Sequence, residues 1–226
     1  SFGARGDGIT DDTKAIQKAI DAADPMVLTT IHFPSGVYSI AGYTTTTNYL
    51  ENYSLLMHSN IDFRGEGETS VVRIADHMYD KADINANAHI FYGNGLSNVS
   101  FGSIRIEMNG QNNLVPKDFI KNYTAIFIDR GHKVSFNHIT ISNCAGCNMI
   151  AIKGAGSGLS ISDCNFYNGG NYVGSETPNS NQFDFSFIYS EWDSSNISNN
   201  HIEQQNPGIA LCNYTGGIEL HASYSM

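Results

Sequence analysis

The chain has 226 residues, with 12 Lys and Arg against 22 Asp and Glu, a formal net charge of −10. Binding to nucleic acid through a basic patch is excluded, because no Lys/Arg run exists, and no stretch approaches the roughly 20 apolar residues of a membrane-spanning helix. One domain fits the length, and 22 glycines with frequent Asn, Ser and Thr and only 15% charged residues suit a β-rich chain with many turns.

The N-terminal stretch SFGARGDGITDDTKAIQKAI begins with turn glycines Gly3, Gly6 and Gly8. Thr10 then reads as an N-cap, with Asp11 and Asp12 in the first helical turn. Ala15, Ile16, Ala19, Ile20 and Ala23 form an apolar stripe at helical spacing. The expectation is a short amphipathic helix over 11–23, ending near Asp24-Pro25. The two aspartates have a structural explanation there.

Beyond the helix the chain repeats. NIDFRG (60–65), NVSFGSIRI (98–106), KVSFNHITI (133–141), GLSISDCNF (158–166) and SNISNNHI (195–202) share one pattern, anchored by Phe63, Phe101, Phe136, Ile161 and Ile197. The anchors are 38, 35, 25 and 36 residues apart. The shortest is a bare repeat, and the longer ones carry loops. A second strand family interleaves: HIFYG (89–93), AIFIDR (125–130), MIAIKG (149–154), FSFIYS (185–190) and GIELHA (217–222). Short strands at a fixed period predict a solenoid, here an all-β parallel β-helix over 1–226. Residues 1–24 cap the first coil and 25–226 form the coils. Ile104, Ile139, Cys164 and Asn200 should form one inward ladder, with the Asn amide bonded to neighbouring backbone at a turn. The last stretch, GGIELHASYSM, stops partway through a coil, so the chain is expected to be a fragment, or to be completed by another segment or subunit.

Of the four cysteines, Cys144 and Cys147 have the CxxC spacing, but no second half-site accompanies them, so a metal is not expected. Cys164 reads as a small core residue. Asp62 and Asp163 occupy strand–turn positions and read as structural.

FGARGDGITDDTKAIQKAID, IHFPSGVYSI (31–40) and SNIDFRGEGETSVVRI (59–74) resemble the pectate-lyase-like superfamily, in the branch of rhamnogalacturonase-, epimerase- and phage-tailspike-like proteins. The resemblance spans essentially the whole chain and implies a right-handed, single-stranded parallel β-helix and activity toward a polysaccharide, from an extracellular, secreted or virion-tail protein. It does not imply one reaction. The paired Asp and Gly-His-Gly motifs of polygalacturonase-type hydrolases are missing, and Ile150 and Ile152 stand where an epimerase-type acid and base would be. Phage spikes are commonly trimers, so the resemblance admits a homotrimer.

The longest insertions are 76–88, 107–123 and 167–183, and the last two, entering at the same point of the repeat, should wall a groove over the exposed face of the second strand family. Its candidate catalytic row is Asp129, Lys153, Glu191, Glu219 and His221, with Asp184 at a strand start. Glu191 with Glu219, or Asp184 with Glu219, are the carboxylate pairs for hydrolysis, because coils stack at about 4.8 Å and glycosidase carboxyls stand about 5–9.5 Å apart. Elimination from a uronate polymer would instead use Lys153, Arg130, His132 or His221. Trp192, Tyr189 and Tyr172 are candidates for stacking on sugar, with Arg130 as a further substrate contact. No cofactor is expected, although a Ca2+ ion would suit elimination. Two readings stand: a polysaccharide lyase or glycoside hydrolase, secreted by a bacterium or borne on a phage tail as a tailspike depolymerase, or a non-catalytic carbohydrate-binding or structural β-helix such as an adhesin or receptor-binding spike segment.

Overall fold

The computed structural model describes residues 2–45, 51–78, 87–113, 123–144, 146, 148–169, 184–204 and 214–221. In chain order the elements are β1 (Asp7–Asp11), α1 (Thr13–Asp21), β2 (Thr29–Phe33), β3 (Gly36–Ile40), β4 (Thr44–Thr45), β5 (Glu51–Leu56), β6 (Ile61–Gly65), β7 (Ser70–Ile74) and β8 (Asn87–Gly102). There follow β9 (Arg105–Glu107), β10 (Tyr123–Asn137), β11 (Thr140–Cys144), β12 (Asn148–Ser162), β13 (Asn165–Gly169), β14 (Asp184–Ser190), β15 (Asn196–Ser198), β16 (His201–Glu203) and β17 (Tyr214–Leu220). All named pairings are parallel except β4 with β5. The result is the expected parallel β-solenoid.

Each coil has three faces. The first is the row β5-β8-β10-β12-β14-β17, in which Phe91, Ile126, Ile150, Ile188 and Ile218 align. The second aligns the anchors read from the repeat: Phe63 with Phe101, Phe101 with Phe136, Phe136 with Ile161, and Ile161 with Ile197. The third is the sheet β1-β3-β7-β9-β11-β13-β16. The two strand families of the sequence are therefore successive halves of single bent strands in β8, β10 and β12.

The corners are ladders of left-handed residues. Gly95, Arg130 and Gly154 (φ 67°, 62° and 66°) stack at the bend leaving the first face. Asn60, Asn98, Lys133, Gly158 and Ser194 stack three or four residues later, and Ser103, His138, Asp163 and Asn199 stack at the next corner. Such backbone costs a non-glycine residue about 1–2 kcal/mol, least for Asn and Asp. This explains the Gly and Asn content. The amide of Asn98 donates to Asn60 Oδ1 at 2.8 Å, and that of Asn199 to Asp163 Oδ1 at 3.0 Å. Asp62 accepts from Arg64 and Ser100. Both aspartates are structural, as expected.

Inside, Phe63 and Phe101 stack with centroids 4.7 Å apart, and Phe101 and Phe136 at 5.3 Å. Ile104, Ile139 and Cys164 are buried. Asn200 joins them at the turn, accepting from Cys164 N–H at 2.9 Å and donating to Ile161 O at 2.9 Å. Burial pushes the Cys164 thiol up to about 11, which suits an inert core residue. Cys147 and Cys212 lie outside the described residues, while Cys144 is buried. A smaller cluster of Tyr92, Phe127 and Ala151, with Tyr53 against it, sits apart from the main core. Beside it the buried His89 contacts Thr124 Oγ1 through Nδ1 and Glu51 through Nε2 at 2.7 Å. That pairing makes the neutral ring with its proton on Nε2.

The cap differs from expectation at its start. Residues 7–11 pair with β3 as a strand, and Asp12 N–H donates to Ser39 O at 2.8 Å. Thr10 therefore lies in β1, its hydroxyl given to Asp7, and Asp12 takes the N-cap position of a helix that starts at Thr13. The Asp12 carboxylate turns away from the helix and accepts Arg5 N–H (2.8 Å) and Gly6 N–H (3.0 Å), tying down the entry loop. Ile16, Ile20 and Ala23 bury the stripe in the first coil as expected.

Candidate functional site

The outer side of the first face carries the candidate groove. Alternation turns Ile126, Ile128, Ile150 and Ile152 inward, all fully buried, and the residues that follow turn outward. Asp129 aligns with Lys153. Glu191 comes next, its N–H donating to Ile152 O at 2.9 Å, and then His221, whose N–H donates to Ser190 O at 2.8 Å. Two residues back, Tyr189 aligns with Glu219. Four of the five acids and bases expected in one row thus share it, and Glu219 flanks it.

Tyr189 is the hub. Its hydroxyl donates to Glu191 Oε1 at 2.8 Å, Lys153 Nζ lies 5.2 Å over its ring, and the His221 ring is 5.2 Å away. Burial, then the hydrogen bond and charge of Glu191, then Glu219, push the Tyr189 phenol far above its ordinary range, so it stays protonated. The other Glu191 oxygen accepts Gly154 N–H at 2.6 Å. Glu219 pairs with His221 Nε2. Gly154, Ala155 and Gly156 on one side, and Tyr189, Glu191, Asp193 and His221 on the other, line an open groove of about 430 Å³. At its edge the exposed Arg130 donates to Asn94 Oδ1 at 2.7 Å and lies 3.4 Å from Asp129.

Three expectations change. Trp192 is 1% exposed and belongs to the main core, so its ring cannot stack on sugar. The gap that receives it opens because β12 bulges there. Asp184 aligns with Tyr214, five residues before the Tyr189–Glu219 pair, or roughly 16 Å along the strand. It is thus no partner for Glu219. His132 lies past the Arg130 corner, aligned with Ser97 and Ser157 on the next face. Tyr172 falls outside the described residues, as do most of 76–88, 107–123 and 167–183. Among the described residues no group of His, Cys, Asp and Glu is arranged to hold a metal ion.

Gly154 N–H was not anticipated from the sequence. Its signal was present: Ile128 to Val134 spans six positions and Ile152 to Leu159 spans seven, although each pair is aligned with the other. The extra residue is the bulge.

The A-module of the Azotobacter vinelandii mannuronan C-5 epimerase AlgE4 superposes with a TM-score of 0.64 at 18% identity, over 90% of this chain and 50% of that one. The tailspike of E. coli bacteriophage HK620, in complex with a pentasaccharide, superposes at 0.67 and 17% identity, over 88% and 33%. Among curated proteins, mannuronan C5-epimerase AlgE2 of A. vinelandii is 34% identical over 113 residues, 49% of this chain and 11% of that protein. Alginate lyase 7 of the same organism is 42% identical over 82 residues, 35% and 9% of the two. The chain therefore spans about a tenth of the length of these curated relatives. A family model described as rhamnogalacturonase A/epimerase, pectate lyase-like, matches residues 1–210. With the capped parallel solenoid and a match over nearly its whole length, the chain belongs to the rhamnogalacturonase A/epimerase, pectate lyase-like family.

Proposed function

We propose that this protein is a polysaccharide-active enzyme that hydrolyses a neutral or weakly charged glycan, with Glu191 and Glu219 as its carboxylate pair. The observation that carries this reading is that two carboxylates from adjacent coils flank Tyr189 at an open groove, Glu191 bonded to its hydroxyl and Glu219 aligned with it and bonded to His221, a groove-lining residue. One coil and two residues separate them, about 4.8 Å by 6.6 Å, so their Cα atoms stand about 8 Å apart; from there the two side chains can reach the ~6.5–9.5 Å carboxyl spacing of inverting glycosidases. Glu191, oriented by Gly154 N–H, activates water. Glu219 and His221 hold a proton between them, and that proton goes to the leaving oxygen. Tyr189, kept as a phenol, orients Glu191 and offers its ring edge to the sugar.

Electrostatics support a neutral substrate. Asp129, Glu191, Asp193 and Glu219 outnumber Arg130 and Lys153 around the groove, on a chain of net charge −10, and such a surface repels a polyanion. A second reading has its own support, since the curated relatives include an alginate lyase and mannuronan epimerases. There Lys153 or His221 would take the C5 proton of a uronate, and the Tyr189 phenol would protonate the leaving oxygen.

A digest of neutral and acidic polysaccharides tests both readings. Hydrolysis releases reducing ends alone. Elimination also raises the ultraviolet absorbance of unsaturated uronates. A glycan that binds while neither signal rises would make the protein a non-catalytic carbohydrate binder and remove the roles of Glu191 and Glu219.

A further inference from the structure

Strand β12 carries a local insertion at the end of the first face. Its alignment with β10 shifts between Asp129–Lys153 and Gly131–Gly156, so one extra residue is accommodated. On the other side the excess is larger. Ile152 aligns with Ser190 and Ser157 with Asp193, with Glu191 N–H bonded to Ile152 O (2.9 Å) and Asp193 N–H to Gly156 O (3.1 Å), so Glu191 and Trp192 together stand opposite the four residues 153–156. A bulge of this kind re-aims backbone groups and is common beside active sites.

Trp192 fixes the bulge. Its indole Nε1–H donates to Lys153 O at 3.0 Å. Its ring lies against Gly156, where an added Cβ would stand 2.3 Å from the indole and 2.5 Å from Gly131 O. Gly154 takes φ 66°, and a Cβ there would meet the Asp129 carboxylate and the Arg130 stem at 2.7 Å. With both glycines required, Gly154 N–H leaves the strand ladder and points into the groove, 2.6 Å from Glu191 Oε2.

We propose that Trp192 is a positioning residue. By clamping the Lys153–Gly156 bulge it delivers Gly154 N–H to Glu191 and so fixes the carboxylate that faces Tyr189. The assignment of chemistry to Glu191 rests on the hydrolase reading above, but the clamp itself does not.

The test follows the Gly154 amide by NMR as Glu191 titrates, in the wild type, Glu191→Gln, Trp192→Phe and a variant lacking Ala155. An amide bonded to a carboxylate shifts when that carboxylate is protonated. The wild type should show this titration, and Glu191→Gln should abolish it. Trp192→Phe keeps most of the ring and loses the Nε1–H, and the Ala155 deletion restores the alignment with β10. Both should lose the Gly154 titration while retaining the folded spectrum elsewhere. A Gly154 titration unchanged in whichever of the two folds would overturn the proposal. Once a substrate is found, Trp192→Phe should lower kcat by roughly tenfold to a hundredfold, as small misplacements of catalytic groups do, with KM unchanged. An equal loss of binding would mark a merely structural role. If the titration behaves as expected and no glycan is turned over, the clamp stands and the hydrolase reading falls.

Discussion

Phe101 is the residue on which the coil-to-coil coupling of this solenoid is best measured. It is 1% exposed and lies between Phe63 at 4.7 Å and Phe136 at 5.3 Å, with Phe91 edge-on at 5.1 Å. Truncating a buried Phe to Ala costs about 3–5 kcal/mol through lost transfer energy and the cavity left behind. Each aromatic pair contributes about 0.5–1.5 kcal/mol beyond its area, and this site has three, so Phe101→Ala should fall near the upper end. Phe101→Leu keeps the site apolar and loses chiefly the stacking, and should cost about 1–3 kcal/mol. The assay is urea unfolding at fixed temperature. A Phe63→Leu/Phe101→Leu double-mutant cycle should return a coupling of about 0.5–1.5 kcal/mol. A Phe101→Ala cost below about 1 kcal/mol, or no coupling in the cycle, would refute the claim that the ladder joins one coil to the next.

Other outcomes follow from the same geometry. Glu191→Gln and Glu219→Gln should each lower turnover by about 10²–10⁴ with the fold intact, as the loss of a general acid or base does; reducing-end release on the substrate found in the digest measures this. Burial depresses the His89 pKa below its ordinary 6.5, against the raising effect of Glu51. The unfolded chain then binds the extra proton first, so this contribution is complete above about pH 6.5 and is lost as the pH falls below it. His89→Gln should flatten the urea-monitored stability slope in that window, and an unchanged slope would show that His89 is not the group titrating. Arg130 holds a left-handed conformation that its ladder neighbours Gly95 and Gly154 adopt freely. Arg130→Gly should therefore be neutral or stabilising by up to about 1 kcal/mol, because the strain relieved offsets one exposed ion pair. A clear loss of stability would mean that the Asn94 and Asp129 contacts matter more than the strain.

The fold was legible because its two ladders are written in residue types. Phe63, Phe101, Phe136, Ile161 and Ile197 recur with the same polar neighbours, and the structure stacks them in that order. Asn200 in an otherwise apolar ladder was legible for the same reason, since an amide can close a turn that an alkyl group cannot. The cap was misread at Thr10 because its preference for an N-cap is local, while the pairing of residues 7–11 with β3 is contact made across 30 residues of chain. Propensity yields there to a sheet edge that must be satisfied.

The site was legible only as far as alternation carries. Counting outward positions finds Asp129, Lys153, Glu191, Glu219 and His221, because side chains alternate and coils repeat. Trp192 was read by residue type alone, whereas alternation after Ser190 and Glu191 turns it inward, as the structure has it. The β12 insertion that receives Trp192 also produces Gly154 N–H, so one misread position hides both the loss of a stacking platform and the gain of a hydrogen-bond donor. Asp184 fails for the complementary reason: it was read correctly at a strand start, but the register of that strand against the next coil was not known, and five positions put it out of reach of Glu219. Chemistry on a solenoid is therefore set by register first and residue type second. An acid two positions off its coil neighbour stays within about 8 Å of it along the backbone, whereas one five positions off stands roughly 16 Å away along the strand.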